Sequence, residues 1–190
     1  MLLVAAIALA NRGWNSRPSS GAAEDPLSAE VPHSRQGAQS TAAKAAAAIG
    51  SERMFAEDQR HGIVQAIADP PERGRLQAQF DKGYSLAFNK QIGLDEEGRA
   101  PAGATFVSRT MPAGTTVRHY SPREATVDVW CSGLFGLTGK GVTEIPVKES
   151  WFTITMTLRW TDDGWRLAES TQKDGPNPDS AAAYGQVPPL

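Results

Sequence analysis

The chain has 190 residues, 40% of them hydrophobic, and a formal net charge of −2, which suits one domain with tails. The near-neutral charge includes no basic stripe, which excludes nucleic-acid binding through phosphate neutralisation. The single cysteine, Cys131, excludes an intrachain disulfide and a CxxC-type metal site, and the three histidines have no ligand spacing. The sequence therefore predicts no metal site.

The chain begins with a continuous apolar run at residues 1–10. A membrane-spanning helix needs about 20 residues, whereas the apolar part of a signal peptide needs about 7–15. The run is therefore a signal segment, the remnant of a membrane anchor that starts upstream, or the frayed end of a cytosolic protein. We favour the anchor, because residues 11–44 are polar and lack apolar periodicity, which predicts a flexible linker outside a membrane.

Residues 45–172 are predicted to form the domain, and its first half reads as helical. An alanine-rich helix ends at Gly50, and a second begins at Ser51, a plausible N-cap, and stops at Asp69-Pro70-Pro71. A third helix, ending near Gly93, has one apolar face with a repeat of four residues. That face comprises Leu76, Phe80, Tyr84, Phe88 and Ile92.

The second half of the domain reads as β structure. Strands are predicted at residues 105–111, 115–120, 125–131, 147–161 and 165–171. A glycine-punctuated loop is predicted from Gly133 to Gly141, and the proline-containing residues 173–190 are predicted to be a disordered tail.

The strand from Trp151 to Trp160 has the clearest pattern in the chain. Phe152, Ile154 and every second residue to Trp160 are apolar, whereas threonine and arginine occupy the alternate positions. Asp163-Gly164 then supplies a tight hairpin turn. Helices followed by antiparallel strands predict an α+β fold, in which N-terminal helices pack on a curved antiparallel sheet.

Three segments carry a resemblance to a known family. They are Ala125-Thr-Val-Asp-Val-Trp130, the strand Trp151–Trp160 and the hairpin Asp163-Gly-Trp-Arg-Leu167. Together they resemble the NTF2-like, or cystatin-like, cone, and more narrowly the VirB8-type and TcpC-type conjugation proteins, including membrane-anchored proteins of actinobacteria. The resemblance implies a domain outside the cytoplasmic membrane that contacts other subunits of a transfer channel, with no enzymatic chemistry and no cofactor.

NTF2-like enzymes place polar acid–base residues inside the cone, and the candidates here are Asp58, His61, Tyr84, Asp128 and Arg159. Asp58 and His61 have the spacing at which a helical aspartate orients an imidazole. We favour a solvated helix face for this pair, because activation of the imidazole needs a closed, water-poor pocket. For Asp128 we favour a solvent-facing position, because an unpaired buried carboxylate is costly. We interpret Cys131 as a small buried hydrophobe.

Apolar residues outside the alternating strands are the candidates for a partner interface. Leu134, Phe135 and Leu137, in the glycine-punctuated loop, either cap the mouth of the cone or form a partner patch. Trp151 faces away from Phe152 and is the best single interface anchor, whereas the other strand tryptophans are expected in the core.

The sequence thus predicts a non-enzymatic interaction domain on the extracytoplasmic face of the cell membrane, tethered through its N-terminus. The expected partners are other subunits of an envelope complex, such as a conjugative type IV secretion-like apparatus, or a second copy of the chain. The alternative is a small-molecule-binding protein or enzyme with a pocket inside the cone, near Asp58, His61 and Tyr84. A secreted protein without an envelope partner is the third alternative. A roomy pocket with converging polar groups would favour the small-molecule alternative.

Overall fold

A computed structural model describes residues 27, 31–139, 145–180 and 185–186. Its helical part comprises α1 (Arg35–Ile49), α2 (Glu57–Ile67), α3 (Arg73–Gly83) and α4 (Leu86–Gln91). Short 3₁₀ helices lie at Glu52–Phe55, Pro70–Glu72 and Pro178–Ser180. None of the helices in these residues is long and apolar enough to span a bilayer.

The sheet follows the helices in the chain. Its strands are β1 (Ala104–Tyr120), β2 (Glu124–Gly139), β3 (Lys148–Thr161), β4 (Gly164–Asp174) and the short β5 (Gly185–Gln186). They lie in the order β4-β3-β2-β1-β5, and each pair of neighbours is antiparallel. The helices pack on one face of this curved sheet, which we call the inner face, and the predicted α+β fold is confirmed.

The core lies between the helices and the inner face. Ile154, Met156 and Leu158 of β3 are buried there, so the predicted alternation of this strand is confirmed. Gly164 follows the β3–β4 turn with a φ of 96°, a backbone conformation that glycine adopts without strain. On the other side of the core, α1 buries alanines, which let its backbone approach the sheet closely.

The predicted loop from Gly133 onwards is strand as far as Gly139, so this expectation is wrong. Gly136 has a φ of 143°, and a Cβ there would lie 2.6 Å from the Pro146 carbonyl oxygen. The Leu137 amide donates to the Ile145 carbonyl at 2.7 Å. The glycines therefore mark a strand that another backbone segment approaches closely, which is an established use of strand glycine.

Further boundaries differ from prediction. The second helix, expected to begin at Ser51, begins at Glu57 after a separate 3₁₀ helix, because the Ser51 hydroxyl donates to the Ala48 carbonyl and does not act as an N-cap.

The two strands expected on either side of Pro112 are one strand, β1, with a register shift between Pro112 and Gly114, because proline is tolerated at an irregularity near a sheet edge. The third predicted helix is divided into α3 and α4. Ser85 ends the continuity because its hydroxyl caps α4 by accepting a hydrogen bond from the Phe88 amide at 3.3 Å.

Both predicted tails are partly structured. The Ser34 hydroxyl caps α1 by accepting a hydrogen bond from the Gly37 amide at 3.1 Å. Residues 35–44, the last part of the expected linker, therefore belong to α1. The predicted disordered tail includes the end of β4, a 3₁₀ helix and β5. The apolar run at residues 1–10 and the linker up to residue 26 lie outside the described residues.

Candidate functional site

A cavity of about 740 Å³ lies between α3 and the inner face, at the end of the sheet where β3 begins and β4 ends. Ile49 and Gly50, at the end of α1, also line it. Its volume falls within the range of about 300–1,000 Å³ that is typical of small-molecule sites.

The cavity exists because the inner face carries small residues here. Ser108 of β1, Gly133 of β2 and Ser170 of β4 line it at positions where large apolar residues occupy the rest of the face. A Cβ atom on Gly133 would lie 2.6 Å from a ring carbon of Phe152, so this glycine leaves room for the ring. Phe152 and Ile154 of β3 thus form the apolar floor between the two serines.

Aromatic side chains form the rest of the walls. The rings of Phe55 and Tyr84 meet edge to face with centroids 5.0 Å apart, and Phe80 lies 6.4 Å from Tyr84. Phe135 lies 6.0 Å from Phe55 on the side of the sheet. All four residues line the cavity, so a ligand would meet mainly apolar and aromatic surface.

Two hydrogen bonds fix the end of α1 above the cavity. The Tyr84 hydroxyl donates to the Ile49 carbonyl, and the Ser108 hydroxyl donates to the Gly50 carbonyl at 3.1 Å. A Cβ on Gly50 would lie 1.8 Å from the Thr110 hydroxyl oxygen, so only glycine permits this approach. The roof is therefore held to both α3 and β1.

A third hydrogen bond joins α3 to β4, the strand at the other edge of the sheet from β1. The Gln79 amide nitrogen donates to the Ser170 carbonyl at 3.2 Å. The Ser170 hydroxyl, which also lines the cavity, makes no hydrogen bond to another of the described residues. It is thus a polar group that a bound molecule can use.

Tyr84 is a partly buried titratable group that lines the cavity. Burial raises the pKa of its hydroxyl to about 12, and the nearby Arg60 charge only partly opposes this. The hydroxyl therefore stays protonated at neutral pH and donates to Ile49. The charged residues that line the cavity, Arg109 and Asp174, are both exposed.

Of the three predicted pocket residues, the structure brings only Tyr84 to this cavity. Asp58 is exposed, and His61 contacts Asp81 of α3 at 3.1 Å rather than Asp58. Burial raises the pKa of Asp81, but hydrogen bonds from Arg60 and His61 outweigh that effect, so the net shift is downward. The spacing of Asp58 and His61 thus marks a solvated helix face beside a structural ion pair.

The predicted interface residues of β2 are mostly part of the fold. Phe135 packs in the aromatic cluster with Phe88, and Leu137 is buried against the core. Leu134 is half-buried and lines the cavity. Leu134 and Phe135 thus contribute to the wall of the cavity, and Leu137 contributes to the core.

The remaining candidates lie on the outer face of the sheet, which faces away from the helices. Trp151 is partly buried and stacks on Trp130 at 4.5 Å, so Trp130 lies outside the core in which it was expected. Asp128 is buried rather than solvent-facing, because Arg118 forms an ion pair with it and Thr155 donates a hydrogen bond at 2.7 Å. The prediction had assumed an unpaired carboxylate, and the ion pair and the hydrogen bond offset the cost of burying it.

Arg159 belongs to a second, smaller cavity of about 400 Å³ at the edge of β4. Its guanidinium lies 3.2 Å from Asp69, 3.0 Å from Glu72 and 3.6 Å from Glu124. The positive charge is thus neutralised within the fold, and Arg159 has a structural role. Among residues 31–139, 145–180 and 185–186, no three metal-ligating side chains come together.

Four residues that line the cavity were not among the predicted site residues: Ser108, Gly133, Gln79 and Ser170. Ser108 and Ser170 carried a signal, because each is a small residue within a predicted strand, whereas Gly133 was placed in a loop. Gln79 gave no signal, since a glutamine on a helix is usually solvent-exposed.

No family model matches this chain, and no curated protein matches it. Among solved structures, the chain is similar to the intermembrane-space region of the chloroplast protein ARC6. That alignment has 12% identity and a TM-score of 0.35, and it covers 64% of this chain and 83% of the other.

Proposed function

We propose that this protein binds a small, uncharged and largely apolar molecule in the cavity between α3 and the inner face. The observation that carries the proposal is the combination of volume, aromatic walls and the Ser170 hydroxyl. Sites for small molecules are typically concave and apolar with a few polar groups that fix orientation. The cavity lies where an NTF2-like cone would hold its ligand, and we propose this fold family for the domain.

Binding without catalysis is the activity that the lining residues support. Tyr84 is protonated and donates to a backbone carbonyl, and its pKa of about 12 is far from that of a neutral-pH acid or base. Arg109 and Asp174 are exposed, so water screens their charges. A charged ligand would therefore find no buried counter-charge among the described residues of the cavity, and an uncharged one fits better.

A cavity-filling substitution tests the proposal. Ser170→Phe places a ring where the small inward side chain leaves space, whereas Lys173→Phe adds the same ring at an exposed outer-face position of β4 that does not line the cavity. We expect the neutral fluorophore N-phenyl-1-naphthylamine to bind the native protein and Lys173→Phe with similar affinity. Ser170→Phe should weaken binding at least tenfold, which is about 1.4 kcal/mol.

Equal binding by the two variants would refute the cavity as the site. The far-ultraviolet circular dichroism and the unfolding midpoint of each variant separate a filled cavity from a damaged fold. If Ser170→Phe unfolds, Ser170→Leu provides the same test with a smaller side chain.

The second candidate function is the assembly role implied by the hairpin resemblance, in an envelope complex outside the cytoplasm. The observation that favours it is exposed apolar surface beside the sheet: Trp151 is only partly buried, and Leu86 and Met111 are 46% and 42% exposed. Fractionation of the native protein, with determination of its N-terminal residue, tests this candidate. Recovery in the membrane fraction would support it, and recovery in the cytosol would contradict it.

A further inference from the structure

β4 gives the cavity one polar margin. Gln172 lies opposite Ile154 in the register of the sheet. Asp174 likewise lies opposite Phe152, so both residues share the inner face with the apolar floor. Ser170 precedes them on the same face of β4, and all three line the cavity. We call Ser170, Gln172 and Asp174 the polar row.

The polar row leads from the interior of the cavity to its mouth. Ser170 is only 6% exposed, whereas Gln172 and Asp174 are exposed. Successive members are two residues apart in an extended strand, so the row extends over about 13 Å. None of the three side chains makes a hydrogen bond or an ion pair with another of the described residues. A bound molecule can therefore use these polar groups along the whole length of the row.

Ser170 distinguishes the polar row from an ordinary polar strand end. Ser108 is the other buried polar side chain of the lining, and it donates to the Gly50 carbonyl. The half-buried Tyr84 hydroxyl donates to the Ile49 carbonyl. In the described lining, Ser170 is thus the buried polar side chain that has no partner. Because buried polar groups are nearly always hydrogen-bonded, we expect a partner from outside the described chain at this hydroxyl.

The polar row is reached through a gap between α3 and β4. The Arg75 guanidinium donates to the Ala168 carbonyl, and the Gln79 amide donates to the Ser170 carbonyl at 3.2 Å, so α3 runs beside β4. Four residues of an α-helix rise about 6 Å, which nearly matches two residues of a strand. The next such step brings Gly83 level with the middle of the row. A Cβ on Gly83 would meet no other part of the described chain within 4 Å, so the gap is open here.

The chemistry of the row determines which polar groups the ligand carries. The Ser170 hydroxyl and the Gln172 amide both donate and accept hydrogen bonds, whereas the Asp174 carboxylate only accepts them. A ligand hydroxyl can donate to Asp174, and a ligand carboxylate would instead be repelled there. Opposite the row, the aromatic rings of the walls favour flat, apolar rings in the body of the ligand.

We propose that the ligand is an elongated, uncharged aromatic molecule with a hydroxyl group at each end, bound along the polar row. One hydroxyl pairs with Ser170 in the interior, and the other donates to Asp174 at the mouth. The rings lie on Phe152 and Ile154, between the row and the aromatic walls. This inference rests on the proposed binding function and adds the chemical class of the ligand.

Two stilbenes of the same shape test this class by displacement of N-phenyl-1-naphthylamine from the full-length protein. The first is trans-4,4′-dihydroxystilbene, with a hydroxyl at each end, and the second is trans-stilbene, which has none. Ser170→Ala should weaken binding of the diol about fivefold, the effect of one lost hydrogen bond, without weakening that of trans-stilbene. Asp174→Ala should weaken the diol about twofold, since water competes at this exposed position. The matched control is Lys173→Ala, on the outer face of β4, which should change neither affinity.

The proposed class and the proposed cavity fail in different ways. If the fluorophore and both stilbenes bind but neither Ser170→Ala nor Asp174→Ala weakens the diol selectively, the class is wrong and the cavity stands. If no probe binds the native protein saturably, the proposed function is refuted and this inference with it. The affinity of each variant for trans-stilbene reports whether its cavity is intact. If Ser170→Ala weakens both stilbenes alike, the selectivity of the exposed Asp174→Ala decides the proposal.

Discussion

Truncation of Leu158 tests the orientation of the sheet on which the proposed ligand cavity depends. Leu158 is fully buried on the inner face, opposite Ala125 of β2 and Leu167 of β4. Leu158→Ala removes three carbon atoms, which costs about 2.4 kcal/mol at ~0.8 kcal/mol for each buried carbon. The space left behind adds to this, so we expect a loss of about 3–4 kcal/mol in the free energy of unfolding.

The matched control is Thr157→Ala, on the neighbouring residue that faces the other side of the sheet. We expect it to change the free energy of unfolding by no more than about 0.5 kcal/mol. Urea denaturation followed by tryptophan fluorescence measures both, and with a slope of about 2 kcal/mol/M the Leu158→Ala midpoint should fall by about 1.5–2 M. A larger loss for Thr157→Ala than for Leu158→Ala would refute the assigned orientation of β3.

Two further predictions concern titratable groups. Burial raises the pKa of the Cys131 thiol to about 12, so at pH 8 the native protein should react with Ellman's reagent roughly a thousandfold more slowly than the denatured chain; a ratio below ten would contradict this burial. Hydrogen bonds from Arg60 and His61 outweigh desolvation and lower the pKa of Asp81 below 3.8, so its ionised form stabilises the folded state. That contribution is complete above pH 3.8 and is lost as the pH falls through the lowered pKa. In Asp81→Asn, the free energy of unfolding should therefore fall less steeply than in the native protein as the pH is lowered below 3.8. An unchanged pH dependence of the free energy of unfolding in this range would contradict the stabilising role of ionised Asp81.

The fold class could be predicted from sequence because local pattern and tertiary burial agree in the strands. In β3, apolar residues recur at every second position, and the structure buries Phe152, Ile154, Met156 and Leu158 on one face. The exception is Thr153, a polar outer-face residue that is fully buried and whose hydroxyl donates to the Gly175 carbonyl. Its burial depends on a segment more than twenty residues away in sequence, and alternation carries no information about such a contact.

The errors have a common physical origin in close backbone approach. The glycines from Gly133 to Gly139 read as a loop because glycine is usual in turns, but Gly136 serves a strand that meets Pro146. Similarly, α1 lacks the large apolar stripe of a typical buried helix because its alanines pack directly on the sheet. In both cases the identity of the neighbour decides the structure, and local sequence does not contain it.

The candidate site was only partly predictable for the same reason. Tyr84 was found because a tyrosine on an apolar helix face is a conspicuous polar group. Asp58 and His61 also had a catalytic spacing, but their helix presents Asp58 to solvent and His61 to Asp81. The serines that open the cavity are ordinary residues in sequence, and they acquire a role only where α3 leaves space above them.

Methyl NMR of the isoleucine-labelled protein tests the proposed ligand cavity most directly. Ile49 and Ile154 line the cavity, whereas Ile63 and Ile67 of α2 are buried elsewhere in the core. On titration with N-phenyl-1-naphthylamine, the account predicts saturable shifts of the Ile49 and Ile154 methyl signals with little change at Ile63 and Ile67. Shifts confined to the α2 methyls, or no saturable shift at Ile49 and Ile154, would contradict it.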